Sequence, residues 1–366
     1  MSRFNALLPL LDGRRTPSTW AEKSLFALLG PLGQLHGLIQ KIRAFGYAHN
    51  WLERYHPPRP VISIGNLTTG GTGKTPMTAF MASLLLEMGL KPVIISRGYG
   101  QGSKAAITVV SDGEKRLISP PEAADEACLL ADRLPTVPVL TGPKRSAVIQ
   151  AAVDQFDVDI ILLDDAYQHL AVDRDINILL MDASHPLANG RLLPAGLLRE
   201  FPSASKRADI IIFTRCPSEQ RFAQAKKQIS AWITPSTPIF QALHKPSHWY
   251  QRKSGQNHKM NSAPKGTGLA FCGLASPEVF WKTLQQQQIP LADTLSFTDH
   301  HNFNKNDLSR LEQHAQAAGA DFLVCTEKDA VKIEWQSDLP LYVLTIDLSL
   351  DQRDRFYTLC STMIRK

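Results

Sequence analysis

Residues 60–76 read PVISIGNLTTGGTGKTP, and the fold turns on how they are read. The first six are short, apolar and β-branched, which is the pattern of a buried strand. A glycine-rich turn follows. Pro76 then falls in the first turn of a helix, where its missing N–H costs little. Strand, glycine loop and helix N-terminus together make an anion cradle of bare backbone N–H groups. The usual phosphate-loop pattern is G-x-x-x-x-G-K-[ST]. Gly73, Lys74 and Thr75 fit it, whereas the leading position holds Thr68. Thr68 need only begin the turn. Thr68, Thr69, Gly70, Gly71, Thr72 and Gly73 would wrap the phosphates, with Lys74 reaching the β and γ phosphates and Thr75 placing its hydroxyl on Mg2+.

Further along, VDIILLDD (158–165), INILLMD (176–182) and ADIIIFT (208–214) are near-continuous apolar runs. Such runs suit a parallel sheet covered on both faces, with ligands beyond the carboxyl ends of the strands. The expected fold class is therefore α/β: a P-loop NTPase-like, mostly parallel sheet flanked by helices. IILLDDAYQH resembles a Walker B element, in which Asp164 or Asp165 would hold Mg2+ directly or through water. The [NT]-K-x-D motif of guanine readers has no ordered counterpart, since CTEKDAVK (325–332) holds its residues in another order. The nucleotide is expected to be ATP.

The chain has 366 residues, a net charge of +6 and a pI near 9.0. That length accommodates two domains. The charge suits an anionic partner, and no nucleic-acid-binding motif is present, so nucleic acid is not expected. Five scattered cysteines without C-x-x-C spacing argue against a disulfide frame or a zinc site. From Trp20 to Leu52, apolar residues recur at helical spacing among Lys23, Lys41 and Arg43, with Gly30–Pro31 interrupting the run. Two readings fit: a helical pair packed on the core, or a basic amphipathic segment lying in a membrane interface. The polar stretch 245–266 reads as a linker or hairpin, and a second strand–helix alternation follows it. The expected division is 1–55, an amphipathic helical segment belonging to the ATP-binding domain; 56–244, the P-loop ATP-binding domain proper; 245–266, the linker or hairpin; and 267–366, a second, smaller α/β domain.

GNLTTGGTGKTP, SRGYG, DDAYQHL, NGRLLPAGLLRE, FTDHHNF and TEKDAVKI occur here in the same order as in the tetraacyldisaccharide 4'-kinases, and the chain resembles that family from about Leu25 to its last strand. Small departures fall at Ala166, Tyr167, Leu197 and Thr298. The family shares the threonine at the start of the loop. The resemblance implies an ATP- and Mg2+-dependent kinase whose acceptor is the 4'-hydroxyl of lipid A disaccharide 1-phosphate. It also implies a peripheral place on the cytoplasmic face of the bacterial inner membrane, and no protein partner is predicted. It further implies that Asp125, otherwise readable as an acid favoured by a helix dipole, is the catalytic base, paired with His300 of the D-H motif. Arg145 and Arg191 are candidates to grip phosphate and His169 to orient the acids. The competing reading is a membrane-surface P-loop ATPase switch with no lipid acceptor.

Overall fold

The computed structural model describes residues 3–253, 256–274, 277–299 and 301–364. Its residues gather into two compact units, both discontinuous in sequence. The first takes 1–97, 142–244 and 348–366; the second takes 98–141 and 245–347.

The first unit is built on a parallel sheet. The loop-bearing strand Val61–Asn66 lies between Ile160–Leu163 and Ile176–Asp182. Pro92–Ser96 extends the sheet on one side, and Ile210–Thr214 followed by the start of Ile239–Lys253 on the other. Every residue of Val61–Asn66, Pro92–Ser96, Ile160–Leu163 and Ile210–Thr214 is buried. Burial on both faces explains why these strands are apolar runs and do not alternate. The helix Lys74–Glu87 follows the glycine loop. It ends in a Schellman arrangement, with Gly89 N–H on Leu86 O, Leu90 N–H on Leu85 O and Gly89 at φ 76°.

The expected break at Gly30–Pro31 does not occur: Trp20–Ala48 is a single 29-residue helix with Pro31 inside it. It starts in a capping box. Thr19 Oγ1 accepts from Glu22 N–H, and the Glu22 carboxylate accepts from Thr19 N–H. Arg15, 2.6 Å from Glu22, is the main cause of that carboxyl lying near 2. The helix approaches the 192–201 segment through glycine. A Cβ at Gly33 would lie 2.9 Å from Leu192 O, and one at Gly37 would meet the side chains of Leu192 and Phe201. Phe26 and Leu10, from the preceding helix Arg3–Leu11, bury against Ala195. The opposite face exposes Leu28, Leu32, Leu35, Ile39, Ile42 and Phe45. No helix among the described residues is long and apolar enough to cross a membrane.

In the second unit, Leu291–Ser296, Gly268–Cys272, Phe322–Thr326 and Leu341–Leu350 form a parallel sheet in that order. Residues 249–253 pair antiparallel with Gln256–Met260, so the polar stretch after His244 contains a hairpin. Sequence order assigns 98–141 to the first domain; packing puts it here. The segment carries the antiparallel pair Thr108–Asp112 and Pro138–Thr141 and the helix Asp125–Arg133. Two partly buried charge groups hold it. Arg133 ion-pairs with Glu327 and donates to Ile346 O at 2.7 Å, while Asp132 lies 3.0 Å from Arg116 and 4.0 Å from Arg252. Such pairs are invisible to any reading that advances along the chain.

Candidate active site

The glycine loop is shaped by two left-handed glycines, Gly70 at φ 111° and Gly73 at φ 84°, the latter capping the Lys74–Glu87 helix. A side chain at Gly73 would be strained and would also run into the His244 imidazole. Thr68 pairs antiparallel with Leu198, and Thr69 N–H donates to Leu197 O at 2.8 Å. Thr68 thus begins the turn through its backbone. Buried Asn66 donates from Nδ2 to Thr72 Oγ1 at 2.8 Å, closing the loop across its base. Thr75 is partly exposed at the second position of the helix.

The two acids at the end of Ile160–Leu163 have different surroundings. Asp164 is buried and accepts from Thr78 Oγ1 at 2.7 Å, on the helix that follows the glycine loop. Asp165 takes a left-handed backbone, φ 46°. Its carboxylate lies 3.8 Å from Lys74 Nζ and 2.9 Å from Arg199 Nη1. Lys74 also reaches back to Gly70 O at 3.5 Å. Arg199 was not singled out by the sequence; its signal is the charged end of NGRLLPAGLLRE, where a cation follows the apolar run LLPAGLL.

Arg145 begins the helix Arg145–Gln155 and is buried. One nitrogen donates to Gly142 O at 3.0 Å, and its Nε has no hydrogen-bond partner. Burial pulls its pKa down to about 10, against the opposing pull of Asp164 and Asp165. A buried guanidinium with an unused donor beside two acids is poised for an anion. His169 is held near 4, first by burial and then by Arg145, Arg43, Arg174 and Arg97, so it is neutral at pH 7. Arg191 lies elsewhere. Its guanidinium stacks 5.3 Å from the Phe26 ring, in a shallow groove with Pro17 and Lys23.

Asp125 opens the helix Asp125–Arg133 within the second unit. Its Oδ2 lies 3.7 Å from Lys332 Nζ, which also reaches Asp329 at 3.2 Å and stands 5.5 Å over the Phe303 ring. Lys332, a buried lysine shared by two carboxylates, is an ordinary cation in the sequence. Asp329 is itself a structural acid, accepting from Gly273 N–H at 3.1 Å and Thr326 Oγ1 at 2.7 Å. His300 lies outside the described residues. Its neighbour His301 faces Asp307 at 3.0 Å between the Phe297 and Phe303 rings. Asp307 closes the capping box of Lys305–Ala317, so His301 is committed to that cap.

Comparison with known proteins agrees with this architecture. A Desulfotalea psychrophila tetraacyldisaccharide 4'-kinase is 39% identical over 87% of this chain and 91% of its own. One from Geobacter metallireducens is 39% identical over 85% and 90%. The crystal structure of Aquifex aeolicus LpxK in complex with ATP superposes with a TM-score of 0.76 at 27% identity, covering 93% of this chain and 99% of that one. The family model of the tetraacyldisaccharide-1-P 4'-kinases matches residues 25–365, and the chain belongs to that family.

Proposed function

We propose that the protein is an ATP-dependent kinase that phosphorylates the 4'-hydroxyl of a tetraacylated glucosamine disaccharide 1-phosphate, a step of lipid A biosynthesis. The observation that carries this reading is the meeting of Lys74, Asp164, Asp165, Arg199 and Arg145 around a glycine loop in a chain matched to this family almost end to end.

Phosphoryl transfer depends mostly on positioning and charge neutralisation. Backbone N–H groups of 70–73 hold the β and γ phosphates, and Lys74 draws charge from the phosphoryl group in transfer. Arg199 orients Asp165 through its ion pair, and Arg145 offers its spare donor to a phosphate oxygen. Thr75, Asp164 and Asp165 are hard oxygen donors, few enough to suit a Mg2+ that keeps waters and phosphates as its other ligands. That ion would neutralise charge on the phosphates. The acceptor oxygen bonds to the γ phosphorus as the bond to the β–γ bridging oxygen breaks. ADP leaves, and the hydroxyl proton is proposed to pass to Asp125, whose Oδ2 lies 3.7 Å from Lys332 Nζ. His300 is proposed as the partner of Asp125. The exposed apolar face of Trp20–Ala48 supports a peripheral seat on an acidic membrane surface, at the cytoplasmic face of the inner membrane.

The test is ADP release measured with and without the lipid disaccharide 1-phosphate. A kinase releases ADP in step with added acceptor, up to its amount. Equal ADP release without acceptor would point instead to an ATPase switch.

A further inference from the structure

Thr214 and Arg215, at the end of Ile210–Thr214, take no part in the reaction outlined above, yet both bond to the phosphate loop. Thr214 Oγ1 donates to Thr72 O at 2.9 Å, out of contact with solvent. Arg215 Nη2 donates to Gly71 O at 2.8 Å, and its Nη1 to Asp182 Oδ2 at 2.7 Å. Asp182 is fixed in turn by Ser184 N–H on its Oδ1 at 2.8 Å. Arg215 also takes a left-handed backbone, φ 53°, unusual for a residue with a side chain.

Two consecutive carbonyls of the loop are therefore drawn to one dipeptide at the end of Ile210–Thr214, two strands away across Ile176–Asp182. In a trans peptide, the C=O and the following N–H point in opposite directions. Pulling Gly71 O and Thr72 O toward 214–215 turns the N–H groups of Thr72 and Gly73 the other way. Those are the donors that a phosphate needs from this loop.

We infer that Thr214 and Arg215 are a positioning pair, which sets the peptide planes of the phosphate loop before the nucleotide arrives. They act through the loop and do not touch the phosphates. The inference rests on the reading of this loop as the ATP site.

The experiment measures ATP and AMP binding by calorimetry, together with steady-state kinetics, for the full chain and its Thr214→Val, Thr214→Ser and Arg215→Ala variants. Thr214→Val keeps the shape and removes the donor, so ATP should bind about fivefold more weakly, the net worth of one hydrogen bond. Arg215→Ala should weaken ATP by about five- to tenfold on the same scale. Thr214→Ser restores the donor and should return ATP affinity to within about twofold of the original protein. AMP affinity, the KM for the lipid and the thermal midpoint should stay close to those of the unaltered chain. Unchanged ATP affinity in both Thr214→Val and Arg215→Ala overturns the inference. So does an equal loss for AMP and lipid with a falling thermal midpoint, which marks a structural role. An unaltered chain that does not bind ATP removes the ATP reading itself, a result separate from either.

Discussion

Replacing Lys332 by methionine isolates one charge. Methionine keeps most of the stem, so packing changes little, but the ammonium is lost. In the structure that group lies 3.2 Å from Asp329 and 3.7 Å from Asp125, with the lysine side chain 2% exposed and that of Asp329 fully buried. Breaking a buried pair by removing one partner costs about 3–5 kcal/mol, because the remaining charge is left uncompensated. Asp329 keeps its bonds from Gly273 N–H and Thr326 Oγ1, so the lower end applies, about 3 kcal/mol. For a unit of this size that corresponds to roughly a 10 °C fall in the melting temperature of the second unit. Adding Asp329→Asn removes the stranded charge, so Lys332→Met should cost far less in that background than alone. The assay is urea and thermal unfolding of the four proteins, followed by tryptophan fluorescence at pH 7. Turnover should fall with Lys332→Met while ATP affinity holds, because Asp125 loses its support. A loss below about 1 kcal/mol for Lys332→Met, or equal losses in both backgrounds, would refute the claim that the lysine neutralises this buried acid.

Three other outcomes follow from the geometry. His169 should titrate near pH 4 by NMR, below the usual 6.5; the folded state then loses up to about 1–2 kcal/mol as pH falls from 6.5 toward 4, after allowance for its partial exposure, and a midpoint at 6.5 would contradict the burial argument. Gly30→Ala, with nothing within 4 Å of the added methyl, should stabilise by about 0.5–1 kcal/mol, whereas Gly37→Ala presses on Leu192 and Phe201 and should destabilise by about 1–3 kcal/mol; equal signs in urea melts would place the helix differently. Leu35→Glu with Ile39→Glu on the exposed face should weaken binding to anionic lipid vesicles by more than about tenfold, since each residue removes an apolar side chain worth about 1.5–3 kcal/mol when buried, and unaltered sedimentation would locate the membrane contact elsewhere.

The parallel sheet around the glycine loop was legible because buried strands must be apolar and phosphate loops need bare backbone. The same logic located Lys74, Asp164 and Asp165. What stayed hidden is what long-range packing decides. Gly30–Pro31 looks like a helix break, yet the helix continues, held by its cap at Thr19 and by the glycine face that meets 192–201. Residues 98–141 follow the first domain in sequence but are tied to the second unit by Arg133 and Asp132. Arg199 and Lys332 are ordinary cations in the sequence; only the fold shows each against an acid. Arg191 looked equivalent to Arg145, and burial separates them: one faces the paired acids, the other stacks on Phe26 near the surface.

The acceptor is the acylated disaccharide 1-phosphate, at its 4'-hydroxyl. The most direct test is incubation with ATP labelled in the γ phosphate, Mg2+ and that lipid, followed by tandem mass spectrometry of the product. The expected product carries one added phosphate, bearing the label, on the 4' position of the non-reducing sugar, and almost none forms with Lys74→Ala. Label released only as inorganic phosphate, or lipid phosphorylated as fast by Lys74→Ala as by the unaltered chain, would contradict it.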